Sequence, residues 1–208
     1  MNAHLKTRSL HQYRSGLSLM ELAIVVLLLS IIAAVIIPRF EPSVTGQLLA
    51  SAEIITADMN FVRSLAVSNN STYRVTFDRE SNQYTIEHTG ANPALDTLPL
   101  TTTFERTSDG KKYIVWMDQS PAFGVKAHVL GVESGSPPSV TDALNYDALG
   151  APTPVGDCNI WLISGRGAGR IYLPIKVYAA TGLVAIGEIT ATVPAAVRSA
   201  ADEVDEVE

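Results

Sequence analysis

From Leu22 to Ile37 the chain carries no charged residue, and this run limits what its N-terminal segment can fold into. The run consists of Leu, Ile, Val and Ala with a single Ser. Counted from Leu17 the segment has 21 residues, or roughly 31 Å of α-helix. That length is just enough to cross a hydrocarbon core of about 30 Å. Glu21 lies at the edge of this segment, and an ionisable group in such a place is a functional candidate.

The residues before the apolar run indicate a targeting signal, because a short basic segment before such a run stays on the cytoplasmic side. Segment 1–16 has no acid, and its basic residues are Lys6, Arg8 and Arg14. A cleaved secretory signal would need small residues after the run, and the nearest weak candidate is Val44-Thr45-Gly46. A lipoprotein signal would need a cysteine there, but the one cysteine is Cys158. An uncleaved signal anchor stays open, although it leaves Gly16 and Glu21 without a purpose.

The arrangement of Gly16, Leu17 and Glu21 resembles the N-terminus of the type IV pilin and pseudopilin family. The resemblance implies that a prepilin peptidase removes residues 1–16 by cutting between Gly16 and Leu17, and that the new N-terminus at Leu17 is methylated. Glu21 becomes the fifth mature residue, and Pro38 stands where many pilins have a helix kink. Leu17 departs from the phenylalanine or methionine that is usual at the first mature position.

The resemblance implies an assembly role for Glu21. In a filament, its carboxylate would neutralise the free amine of Leu17 on a neighbouring subunit, in a low dielectric where an unpaired ion costs several kcal/mol. Register between subunits would then depend on this pair. The alternative is an acid at an interfacial helix end that reaches toward lipid head groups.

Composition fits one globular domain on a membrane stalk, with 208 residues of which 47% are hydrophobic. The net charge of −6 comes from 15 basic and 21 acidic residues. Removal of three basic residues with segment 1–16 leaves 12 and 21, hence −9. A single cysteine excludes an internal disulfide, and Cys158 is expected to be a small buried residue.

The pattern after Pro38 predicts an amphipathic helix followed by strands, and hence an α+β fold in which a long N-terminal helix packs on an antiparallel sheet. The predicted buried stripe of the helix is Leu48, Ala52, Ile55, Met59, Val62 and Ala66. Glu53, Asp58 and Arg63 fall off the stripe, and Ser68-Asn69-Asn70-Ser71 is a helix stop.

Alternation with period two predicts a hairpin with Tyr73, Val75 and Phe77 on one strand and Tyr84 and Ile86 on the other. Further predicted strands are Tyr113–Met117, Lys126–Leu130, Asn159–Ile163, Arg170–Val177 and Leu183–Ile189. Segments Gly131–Pro138 and Ala148–Gly156 are predicted loops.

The head also resembles the minor pseudopilins that contain the H component of type II secretion and the FimT-like minor pilins. The matching segments are Asp58–Val67 with Asn70, then Tyr73–Asp78, Tyr146–Gly150 and Ala180–Val184. This resemblance implies a minor subunit, either of a type IV pilus or of a type II secretion pseudopilus.

Motifs for catalysis or metal binding are weak in the sequence. Gly165-Arg166-Gly167-Ala168-Gly169 lies between two predicted strands, so it is expected to be a hairpin turn rather than a phosphate-binding loop. Arg166 and Arg170 are candidate anion contacts. His88 and His128 lack partners at ligand spacing, so no metal or cofactor is predicted. Calcium ligation by Asp142, Asn145 and Asp147 is less favoured than a solvated loop. No Ser–His–Asp order can be selected without a fold, and an enzyme is not predicted.

These patterns divide the chain into five segments. They are a leader at 1–16, a transmembrane and assembly helix at 17–37, a stem helix at 38–70, a β-rich head at 71–198 and a disordered acidic tail at 199–208. The expected function is a structural pilin or pseudopilin subunit in the inner membrane, with a single span and a periplasmic head. Its expected partners are prepilin peptidase, other subunits and the membrane. The alternative is a DNA- or ligand-binding minor pilin that uses Arg166, Arg170 and Lys176, but the mature charge of −9 opposes nucleic-acid binding.

Overall fold

The computed structural model describes residues 18–36, 43–99, 105–106, 110–118, 127–153, 156–165 and 167–207. The chain divides into two units, Met1–Glu41 and Pro42–Glu208. The described part of the first unit is helix α1, Leu19–Ile36. The second unit begins with helix α2, Val44–Ser68, and ends with helix α3, Ala195–Val207.

Local signals fix both ends of α2. The Ser43 hydroxyl oxygen accepts a hydrogen bond from the Gly46 N–H at 3.1 Å, which satisfies one free donor of the first turn. At the other end Asn70 takes a left-handed conformation with φ 46°, and the Ser71 N–H donates to the Ala66 carbonyl at 3.0 Å. This pattern is the Schellman motif, with Asn in the position usually held by Gly. The predicted stop at Ser68–Ser71 is therefore confirmed.

The strands of the second unit form two sheets, and every described strand pair is antiparallel. The six-stranded sheet has the order β3-β4-β2-β1-β7-β8, and the five-stranded sheet has the order β11-β10-β9-β5-β6. The strands are β1 Tyr73–Asp78, β2 Gln83–His88, β3 Glu105–Arg106, β4 Lys112–Trp116, β5 His128–Ser134, β6 Ser139–Thr141, β7 Ala143–Tyr146, β8 Pro152–Thr153, β9 Cys158–Ser164, β10 Ile171–Val177 and β11 Val184–Ile186.

Helix α2 packs on both sheets and closes the main core. All six residues of its predicted stripe are fully buried, and they join inward-facing residues of both sheets in one hydrophobic cluster. The α+β class and the hairpin of β1 and β2 are thereby confirmed. The edges of both sheets are short as far as the described residues reach, since β3, β8, β6 and β11 each have two or three residues.

The loop predicted at Gly131–Pro138 is wrong in its first half. Strand β5 continues to Ser134, and its register against β9 shifts between Val129 and Gly131. Gly131 has φ 110°, and a Cβ there would lie 2.7 Å from the Thr141 carbonyl oxygen. The glycine therefore belongs to a β-bulge inside a strand, where it allows close approach to β6. Within the other predicted loop, Ala148–Gly156, the short edge strand β8 is present.

The predicted disorder of segment 199–208 is also wrong, because α3 extends to Val207. Val197 and Ala201 are fully buried, and they pack on the outer face of the five-stranded sheet. The covered side chains of that face are Leu130, Trp161, Ile163 and Tyr172. Residues four apart lie on the same face of a helix, so a narrow apolar stripe anchors an otherwise acidic segment.

Candidate functional site: the apolar helix and the polar contacts of the head

Helix α1 presents apolar side chains on all of its faces. From Leu19 to Ile32 its large hydrophobic residues are between 47% and 85% exposed in the isolated chain. A helix that is apolar all round is normally covered by lipid or by other protein. The described surface of this helix is therefore of the kind that lipid or another protein covers.

Glu21 is the one ionisable side chain in the described stretch 18–36, and it lies in the first turn of α1. A negative charge there interacts favourably with the positive end of the helix dipole. Gly16, Leu17 and Pro38 lie outside the described residues, so their predicted roles stay predictions.

Among the residues that the structure describes, no helix satisfies both the length and the hydropathy required to span a membrane.

The candidate anion contact at Arg170 already has an acidic partner. Its guanidinium Nη1 lies 2.6 Å from the Asp202 carboxylate of α3, and the side chain is 13% exposed. Arg166 lies outside the described residues. Lys176 is similarly placed 3.1 Å from the Asp157 carboxylate. Strands β9 and β10 pair antiparallel, so the glycine-rich segment connects two neighbouring strands, as predicted.

The three loop residues considered for calcium each have another role. Asp142 forms an ion pair with Arg79 at 3.2 Å, and Asn145 accepts a hydrogen bond from Arg74 at 2.8 Å. Asp147 accepts the backbone N–H groups of its own turn. Within the described residues, no group of three or more His, Cys, Asp or Glu side chains is arranged to hold a metal ion.

Segments that carry the minor-pseudopilin resemblance meet around Arg63. The Arg63 guanidinium Nε donates to the Thr181 carbonyl at 2.7 Å. A Cβ on Gly150 would lie 3.2 Å from the Arg63 side chain, and one on Gly182 would lie 1.8 Å from the Gly150 carbonyl oxygen. Parts of the chain that are distant in sequence therefore form one tight contact with α2.

Asp58 is buried between α2 and the six-stranded sheet, although the sequence placed it off the stripe. It is 7% exposed, and the fully buried Tyr84 hydroxyl donates a hydrogen bond to its carboxylate. Burial raises the pKa of Asp58 to about 6, against a smaller lowering by the Tyr84 hydrogen bond. The helical pattern shows that Asp58 lies outside the predicted buried stripe of α2, but it does not show that Tyr84 lies opposite.

Asn82 holds together three segments at one end of the sheets. Its side-chain amide donates to the Asp118 carboxylate at 2.5 Å and to the Ala127 carbonyl at 3.0 Å, and its carbonyl oxygen accepts the Val129 N–H at 3.2 Å. The residue has φ 45°, which Asn tolerates better than most residues. It lines a cleft of about 690 Å³ together with several acids and Arg79.

Ser71, His88 and Asp96 form a polar array that sequence reasoning missed. The Ser71 Oγ lies 2.7 Å from His88 Nε2, and His88 Nδ1 lies 2.9 Å from the Asp96 carboxylate. The register of β1 with β2 brings the first two together, because Tyr73 lies opposite His88. A hairpin register worked out from the sequence would have revealed this pair, whereas the position of Asp96 depends on the loop fold.

Comparison with known proteins gives little beyond this geometry. No family model matches the chain. No curated protein matches it either. Two solved chains are similar to it, both of the type IV minor pilin FimU from Pseudomonas aeruginosa in different crystal forms. Each is 16% identical and covers 70% of this chain; the alignments span 93% and 98% of FimU, with TM-scores of 0.43 and 0.42. Similarity at this level does not assign a family.

Proposed function

We propose that this chain is a structural subunit of a type IV pilus or a type II secretion pseudopilus, present as a minor component. The observation that supports the proposal most is α1, a helix whose described side chains are apolar except for Glu21 in its first turn and Ser30. A basic segment that ends in Gly16 precedes it. A basic segment and an apolar helix together indicate only membrane targeting, whereas the glycine and the acid at this spacing resemble a prepilin N-terminus.

In this proposal prepilin peptidase cuts after Gly16, and the amine of Leu17 becomes the mature N-terminus and is methylated. The Glu21 carboxylate of one subunit then neutralises the Leu17 amine of its neighbour. An unpaired charge in a low dielectric costs several kcal/mol, so only one register between subunits satisfies both groups. Before assembly the subunit is held in the inner membrane by its apolar helix, with the head in the periplasm.

The head does not favour the DNA-binding alternative. Arg170 and Lys176, two of the three basic residues that would form such a surface, each have a carboxylate partner. Binding to a phosphate backbone draws its affinity from unneutralised Lys and Arg. We therefore assign the head to contacts with other proteins of the assembly.

N-terminal sequencing and intact mass of the protein from membranes of its native host test the processing step. A mature start at Leu17, with a mass increase of one methyl group, is the expected result. Gly16→Ala should abolish that start, whereas the matched variant Ser15→Ala should retain it. A start at Gln47 would identify a secreted protein without the assembly helix, and an intact Met1 would identify a plain signal anchor; either result rejects the proposal.

Assembly is tested separately with Glu21→Gln, which keeps the shape of the side chain and removes its charge. We expect this variant to be processed at Leu17 and retained in the membrane but lost from sheared filaments. Glu53→Gln, on the described part of α2, is the control for loss of a carboxylate elsewhere. Equal incorporation of both variants would refute the role of Glu21.

A further inference from the structure

Ser71, His88 and Asp96 have the connectivity of a serine nucleophile with its base and orienting acid. The serine oxygen contacts Nε2 of the imidazole, and the aspartate contacts the opposite ring nitrogen, Nδ1. When Asp96 is ionised, the proton of a neutral His88 lies on Nδ1, and Nε2 is left to accept the serine proton. The same order of contacts recurs on unrelated folds, where geometry rather than sequence position identifies it.

The surroundings keep Asp96 ionised and the imidazole fixed. The hydrogen bond from His88 is the largest cause that holds the pKa of Asp96 below its ordinary range, and Lys111 adds to it against a raising effect of burial. The Lys111 ammonium lies 3.4 Å from the second carboxylate oxygen. The His88 side chain is fully buried and packs edge-on against Tyr73, with ring centroids 5.1 Å apart. The base is therefore held in one orientation before any substrate arrives.

Because Gly90 has no side chain, there is space beside it for the hydroxyl of Ser71. The ladder of β1 and β2 continues through the Thr89 N–H and the Thr72 carbonyl, which places Gly90 opposite Ser71. A Cβ on Gly90 would lie 2.0 Å from Ser71 Oγ and 2.7 Å from His88 Nε2. Any side chain at this position would displace the hydrogen bond between serine and histidine.

We propose that Ser71 is an activated nucleophile that accepts the acyl group of a small ester. Ser71 is only half-buried, whereas the His88 ring is covered, so a compact substrate reaches the oxygen without displacing the base. The proposal is independent of filament assembly, since all the residues that carry it belong to the head.

Water is the second reactant in the proposed ester hydrolysis. Ser71 Oγ bonds to the acyl carbon as its proton passes to His88 Nε2, and the carbon–oxygen bond to the alcohol breaks as that proton passes to the leaving alcohol. Water attacks the acyl-serine by the same route and releases the carboxylic acid. The array supplies proton transfer, which contributes on the order of 10² to 10⁴ in rate. With an ester of a good leaving group, acylation of Ser71 is faster than hydrolysis of the unactivated acyl-serine, so we expect the acyl-serine to accumulate.

The test treats the full chain in detergent with p-nitrophenyl acetate and follows the acyl-protein by intact mass and peptide mapping. The expected result is one acetyl group on Ser71, formed on the order of a hundredfold faster than in His88→Asn. The matched control Ser68→Ala changes a hydroxyl that donates to the Leu65 carbonyl, and it should leave the rate unchanged. Circular dichroism of each variant checks that the head is folded.

Two results would overturn the proposal. One is a wild-type protein that carries acetyl groups only on lysines or on none of its residues. The other is acylation of Ser71 at the same rate in His88→Asn and wild type, since an unactivated surface hydroxyl would behave in that way.

Discussion

Replacement of Asp58 by Asn tests whether a buried carboxylate makes the head less stable as the pH rises. Burial raises the pKa of Asp58 from 3.8 to about 6, so the folded state holds the proton more tightly than the unfolded chain. The contribution is favourable below about pH 4 and is lost as the pH rises through 6. A shift of about two units corresponds to about 3 kcal/mol of unfolding free energy.

The quantity to measure is the difference between two pH values within each protein. Urea unfolding of the full chain in non-ionic detergent, followed by circular dichroism at pH 4 and pH 7, gives the free energy of unfolding at each. From pH 4 to pH 7, the Asp58→Asn variant should gain about 2 kcal/mol relative to wild type, because the unfolded carboxyl is already partly ionised at pH 4. Any pH-independent cost of the new amide cancels in this comparison. Tyr84→Phe should steepen the wild-type dependence, because the Tyr84 hydrogen bond lowers the pKa of Asp58.

The surface variant Glu53→Gln controls for the loss of one negative charge from α2. If the stability of Asp58→Asn and that of wild type change equally between the two pH values, the reasoning fails, because the carboxylate would then be solvated in the folded protein. This conclusion holds whether the shared change is a rise or a fall, since only the difference between the two proteins reports on Asp58.

Three substitutions and one labelling experiment test the packing of the head. Gly182→Ala should cost more than about 2 kcal/mol of unfolding free energy, since the residue has φ 63° and a new Cβ would overlap a backbone carbonyl; thermal melts measure this. Asn82→Ala should cost about 2–4 kcal/mol in urea unfolding, because it leaves three hydrogen bonds unmade, two of which are buried. Val197→Asp should detach α3 and shift the fluorescence of Trp161 to longer wavelength, because a charge cannot be buried in that contact. Cys158 should resist a disulfide reagent until the protein is unfolded, because burial raises its thiol pKa to about 11, and reaction at the rate of a free thiol would contradict this.

Local periodicity was enough to predict α2 and the first hairpin. The stripe from Leu48 to Ala66 follows the helical repeat, and alternation from Tyr73 to Phe77 follows the strand repeat, so each pattern needs only neighbouring residues. The strand predicted at Lys126–Leu130 ends too early, because Gly131 indicates a turn unless the partner strand is known. The apolar stripe of Val197 and Ala201 was not predicted, because the acidic residues around it normally indicate a solvated segment.

The contacts of Asp58 and Asp96 could not be predicted, because they depend on the tertiary fold. Tyr84 of β2 donates a hydrogen bond to the buried Asp58 of α2, and nothing in the sequence of the helix specifies that partner. Ser71 and His88 meet through strand register, and Asp96 joins them from a loop. For the proposed assembly site the reverse holds, since Gly16, Leu17 and Glu21 are close in sequence and form a pattern that needs no fold.

The short edges of the two sheets matter most where many copies of this chain are crowded together. An exposed edge strand is a template onto which another chain can add, and long flat edges lead to aggregation. Here β8 begins with Pro152, which has no N–H to donate, and β6 and β11 have three residues each. Along the edges that the structure describes, heads packed side by side in a polymer would thus find little backbone to pair with, and their order would come from helices and side chains instead of from a growing cross-β stack.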